Sequence, residues 1–102
     1  MKLVIRSVGC EASPRAHEHA RSTVLAQLDA ILPFEAEVRV WLAWDGPTMQ
    51  TPTMCTLQIL LPEAPLFERA MAPDLVTAID LAVRGARRRL ADAGHARRPR
   101  VA

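Results

Sequence analysis

Seven arginines fall in the last nineteen residues of this 102-residue chain: Arg84, Arg87, Arg88, Arg89, Arg97, Arg98 and Arg100. Asp92 is the single acid among them. The rest is not basic: residues 1–83 hold six Lys and Arg against ten Asp and Glu, a balance of −4, whereas residues 84–102 stand at +6. A guanidinium is a planar, permanently charged fork whose donors match phosphate oxygens two at a time. The helix dipole rewards one or two cations in a last turn, but seven with one acid repel one another at a cost in stability. The chemistry this pole suits is therefore recognition of a polyanion, a sugar-phosphate chain ahead of an acidic membrane surface.

Other reactive side chains offer less. His17, His19 and Cys10 could suggest a metal or a nucleophile. Two residues apart on a helix, however, the histidines point about 200° from each other and do not converge on one ion. No serine or cysteine has an identifiable base and orienting acid, so no enzyme, metal or cofactor is expected. The histidines read as surface residues, and Cys10 and Cys55 as reduced thiols, too few for a disulfide framework and wrongly spaced for zinc. A glycine-rich phosphate loop, a helix-turn-helix pattern and an aromatic-rich strand for stacking bases are also missing. Recognition would thus rest on phosphates and shape.

The elements that must carry these groups follow from periodicity. "KLVIRSV" (2–8) alternates as a strand, with Leu3, Ile5 and Ser7 on one side. Ser13-Pro14 opens a helix expected to run to about Leu32, burying Ala16, Ala20, Val24, Leu28 and Ile31, and Pro33 ends it. "EAEVRVWLAW" (35–44) sets Ala36, Val38, Val40, Leu42 and Trp44 on one face, with Glu37, Arg39 and Trp41 on the other. "DGPTMQTP" connects to "TMCTLQILL" (53–61), with Cys55, Leu57, Ile59 and Leu61 inward. "LFERAM" (66–71), flanked by prolines, is an edge strand. A second helix opens at "APD" with Asp74 in its first turn, buries Leu75, Ile79, Ala82, Val83, Ala86 and Leu90, and stops at Gly94.

The order β-α-β-β-β-α predicts an α+β domain over residues 1–94, one four-stranded sheet with two helices on one face, then a basic flexible tail over 95–102. With Ala86 at the centre of the buried stripe, Arg84 falls at about 160°, Arg87 at about 100°, Arg88 at about 200° and Arg89 at about −60°. The first three fan over the solvent side. Arg89 sits at the flank, where its stem covers core atoms. On the opposite, open face of the sheet, Trp41 beside Arg39 could mark a partner surface. That face supports an alternative reading, a protein-protein module or homodimer without RNA binding. No apolar run reaches the roughly 18 residues of a membrane span, so a cytoplasmic protein is expected.

The element order, Ser13-Pro14 ahead of the first helix, Asp74-Leu75 ahead of the second, Ala78-Ile79-Asp80 within it and Arg88-Arg89-Leu90 after it together resemble the ribosome hibernation factors. These are also known as the ribosome-associated inhibitor or sigma-54 modulation family, and the chain is similar to their short form. Members carry basic residues at the middle hairpin, where this chain has "GPTMQTPTMC", and in helix one, where it has His17. The resemblance implies a non-catalytic factor that sits in the decoding channel of the small ribosomal subunit. There its basic residues would contact ribosomal RNA and block messenger and transfer RNA, with Arg88 the best-matched basic position.

Overall fold

The computed structural model describes the backbone of residues 1–8, 14–44 and 53–97, and the side chains of 1–7, 14–43 and 53–92. The Ser13 cap, Cys10, the 45–52 connection, the Trp44 and Arg97 side chains, and Arg98 and Arg100 lie outside the described residues.

Strand β1 (Lys2–Val8) is followed by helix α1 (Pro14–Leu28), strands β2 (Glu37–Trp44), β3 (Thr53–Leu60) and β4 (Pro65–Ala72), and helix α2 (Leu75–Arg97). The strands form one sheet in the order β1-β2-β3-β4; β1 runs parallel to β2 and the other neighbours are antiparallel. A parallel pair cannot be closed by a tight turn, so the β1–β2 step requires a crossover, which α1 supplies. The fold is the expected α+β arrangement, with β4 at an edge.

Alternation decides which face is buried. Val38, Val40 and Leu42 of β2 and Cys55, Leu57 and Ile59 of β3 are each at most 1% exposed. Against them lie Ala16, Ala20, Val24 and Leu28 of α1 and Ala78, Ile79, Ala82, Val83 and Ala86 of α2, all in one core. Burying a Val, Leu or Ile side chain contributes about 1.5–3 kcal/mol, so this two-layer core outweighs every surface contact discussed below. Among the described residues Thr53 is the buried polar side chain, and its hydroxyl donates to the Ala72 carbonyl at 3.0 Å. The two helices lie side by side in the same direction, because His19 of α1 meets Asp80 of α2 and Gln27, two turns later, meets Arg87.

Several expectations need correction. α1 ends at Leu28, and in the closing turn the amides of Ile31 and Leu32 both donate to the Leu28 carbonyl. That turn swings Leu32, not Ile31, into the core: Leu32 is 9% exposed and Ile31 47%. β3 ends at Leu60, and Leu61 packs half-buried against the core from outside the strand. α2 passes through Gly94 to Arg97. Alanines on both sides of the glycine sustain the helix, and Pro99 disfavours helical backbone at the residue before it. The histidines lie at the surface but are half-buried and held rather than free: His17 is hydrogen-bonded to the Ser7 hydroxyl at 3.0 Å. His19 meets Asp80 at 2.8 Å and Thr23 at 3.4 Å.

Candidate nucleic-acid interface

The rotation of α2 about its axis decides where its arginines point, and that rotation is set at the helix start. The Asp74 carboxylate accepts from the Thr77 amide at 2.8 Å and from the Thr77 hydroxyl at 3.0 Å, which satisfies a first-turn donor. These two bonds hold the Asp74 carboxyl below its ordinary range. Asp74 therefore acts as the cap just before the helix, one position earlier than the first-turn role expected for it. From there the buried stripe runs through Ala78, Ile79, Ala82, Val83 and Ala86, flanked by the half-buried Leu75 and Leu90.

With that stripe facing inward, Arg84, Arg87, Arg88 and Arg89 are all exposed, but they divide by partner. Arg87 leans toward α1 and donates to the Gln27 side-chain oxygen at 2.6 Å. Arg89 turns to the opposite flank, donates to the Phe67 backbone carbonyl of β4 and pairs with the Glu68 carboxylate at 3.4 Å. Arg84 and Arg88 stand between them, with no carboxylate paired to either among the described residues. Glu68 itself lies against the α2 backbone: a Cβ on Gly85 would come within 2.7 Å of its Oε1 and 2.8 Å of its Cδ. Glycine at 85 is what lets this acid slip beneath the helix to meet Arg89 one turn on. The sequence reading found the flank position of Arg89 but missed its acid, since the strand pattern of "LFERAM" does not say which helix glycine would admit Glu68.

On the other side of the sheet, Arg39 donates to Glu37 at 2.5 Å and Lys2 lies 4.0 Å from the same carboxylate. Arg39 foremost, then Lys2, lowers the Glu37 pKa against the opposing effect of burial. Trp41 is half-buried there, lining a groove of about 320 Å³ with Lys2, Val4, Arg6, Glu37 and Arg39. Arg39 and Trp41 are thus on one open surface, as alternation requires.

Among the described residues no group of three or more His, Cys, Asp or Glu side chains is arranged to hold a metal, and no helix is long and apolar enough to cross a membrane. The one described thiol, Cys55, is free and fully buried, and burial pushes its pKa up to about 12, far from a nucleophile's.

A sheet with one face sealed by two parallel helices, the second carrying four exposed arginines on its outer side, defines an α+β domain. The chain matches the model of the family described as sigma 54 modulation protein / S30EA ribosomal protein over residues 3–98, and it belongs to that family. Its fold is similar to the crystal structure of the Thermus thermophilus Protein Y N-terminal domain, with a TM-score of 0.74 at 21% identity over 91% of this chain and 99% of that one. It is also similar to a ribosomal subunit interface protein from Coxiella burnetii, with a TM-score of 0.75 at 15% identity over 93% of this chain and 99% of that one. A search of curated proteins finds no significant match.

Proposed function

We propose that this chain is a non-catalytic ribosome-associated factor of the hibernation type, which occupies an RNA-lined channel of the small subunit and so withholds it from translation. The family match supports the ribosomal setting, and a factor bound to ribosomes works in the cytoplasm. The observation that carries the choice of surface is the pair Arg84 and Arg88, exposed on rigid helix and left without an acid among the described residues. An unpaired guanidinium loses little when it meets a phosphate, whereas one already held by a carboxylate must first give that up. Arg87 joins them, since its Gln27 partner is neutral. Arg89, already held by Glu68 at the flank, contributes least, and Arg97, Arg98 and Arg100 prolong the positive end along the chain. Because the side chains sit on a helix and no base-reading motif accompanies them, recognition rests on phosphate spacing and RNA shape.

Cosedimentation with purified small subunits across a salt series tests this reading. Binding should be present at low salt and fall by more than tenfold between about 50 and 200 mM, as several phosphate contacts require. An Arg84/Arg87/Arg88→Ala variant should lose it while folding normally. Absence of binding at low salt, or a triple variant that binds like the wild type, overturns the proposal.

A further inference from the structure

The register of the sheet assembles a second surface that no single strand reveals. Arg6, Trp41, Thr56 and Arg69 stand in one row across the four strands, and Val4, Arg39, Gln58 and Phe67 in the next. All belong to the face away from the helices. Aromatic residues are scarce in this chain, and these two come from different strands, so the sequence shows no aromatic-rich segment. Pairing sets them on one surface, two strand spacings or about 10 Å apart across the sheet. Phe67 is 53% exposed, so its ring is open to a stacking partner. Around them Lys2, Arg6, Arg39 and Arg69 face the single carboxylate of Glu37 among the described strand positions of this face. Glu37 is already engaged by Arg39 and Lys2, which leaves Arg6 and Arg69, one at each end of the Trp41 row, without a paired acid among the described residues.

We propose that this open face binds single-stranded RNA, with bases stacked on Trp41 and Phe67 and phosphates held by Arg6 and Arg69. The chemistry is that of a stacking platform: flat rings offer every base a π-face, and flanking cations follow the backbone without reading sequence. The groove beside Trp41, about 320 Å³, is at the small end of the roughly 300–1,000 Å³ of ligand clefts, suited to a base and not to a large cofactor. Charge complementarity favours a polyanion over a second copy of the chain, because two copies meeting through this face would bring eight cations together against two acids. The face also continues into the α2 surface. There a depression lined by Thr56, Phe67, Glu68, Arg69 and Arg89 lies at the β4 edge. The choice of RNA over DNA rests on the ribosomal reading above; the surface itself does not depend on α2.

Titration with a twelve-nucleotide oligouridylate, followed by tryptophan fluorescence and by anisotropy of a labelled strand, tests the proposal. Wild type should bind with quenching and with affinity that falls as salt rises. Trp41→Leu should bind roughly 5- to 100-fold more weakly, the loss expected for one stacked base. Phe67→Ala, at an exposed position where folding is not at stake, should weaken binding in the same direction. The Arg84/Arg87/Arg88→Ala variant should keep both binding and quenching, which separates this surface from the one on α2. The inference is overturned if the oligomer fails to quench at low salt, or if both aromatic variants bind like wild type. It is also overturned if the wild type sediments as a dimer that Trp41→Leu dissociates, because the face then belongs to a second copy.

Discussion

Arg84, Arg88 and Arg89 share one stretch of α2 but should make very different contributions to binding, and the difference can be measured. Each phosphate contact adds about 0.7–0.9 to the slope of log affinity against log salt. A fourfold rise from about 50 to 200 mM spans about 0.6 log units, so each contact weakens binding roughly threefold over that range. The three contacts from Arg84, Arg87 and Arg88 contribute a fall of roughly 20- to 40-fold on the same basis, and in an Arg84/Arg88→Ala variant the fall should be roughly 7- to 12-fold smaller than in the wild type. Arg89 is held by Glu68 and the Phe67 carbonyl, so Arg89→Ala should leave the salt slope of subunit binding near that of the wild type. Stability of the Arg84/Arg88 variant should stay within about 0.5 kcal/mol of wild type in urea, as expected for exposed sites away from any structural contact. Subunit binding by anisotropy at four or five salt concentrations gives every slope. If Arg89→Ala flattens the slope as much as the double variant does, the division between free and occupied arginines is wrong.

Other expectations concern the scaffold. Asp74→Ala should lower the thermal midpoint. Because the folded Asp74 carboxyl lies below its ordinary 3.8, the gap to wild type should be full above that pH and close as pH falls through the lower folded value, which melts recorded from neutral to acid pH will check. The Cys55 thiol keeps its proton in the folded state up to about 12 and releases it near 9 when unfolded. Its contribution is therefore intact below pH 9 and lost on the way to 12, so the alkaline decline of the midpoint should be steeper in wild type than in Cys55→Ala; iodoacetamide should label Cys55 only after unfolding. Ile79→Ala should cost about 2–5 kcal/mol, the range for a buried large-to-small change. Ile31→Ala, exposed in the turn after α1, should fall within about 0.5 kcal/mol of wild type by urea denaturation.

Much of the architecture was legible because period-two and helical patterns translate directly into faces. Val38-Val40-Leu42 and Cys55-Leu57-Ile59 could belong to nothing but inward-facing strands, and the stripe from Leu75 to Leu90 fixed the outward turn of Arg84, Arg87 and Arg88. Where two residues competed for one place the pattern failed. Ile31 and Leu32 are both apolar and both lie a turn beyond Leu28, and only the geometry of the closing turn selects between them. Gly94 carried a stop signal that neighbouring alanines outweighed. The histidines misled for another reason: a polar side chain looks equally at home in water or bridging two elements, and the Ser7 and Asp80 partners are ten and sixty-one residues away in sequence. The candidate sites divide the same way. A cluster of like charges within one helix shows in the sequence, whereas Trp41 and Phe67 come onto one face only through strand register.

The outermost strand of any open sheet offers its backbone to whatever strand comes by, a standing invitation to fibre growth. Here the Arg89 guanidinium lies across that rim, occupying the Phe67 carbonyl, while Glu68 tethers it from beneath the helix. Gly85 thus has a bearing on solubility: a bulkier residue there would push the Glu68 carboxylate aside and weaken its hold on the arginine that covers the margin. Concentrated stocks of such a variant should turn cloudy well before those of the parent chain.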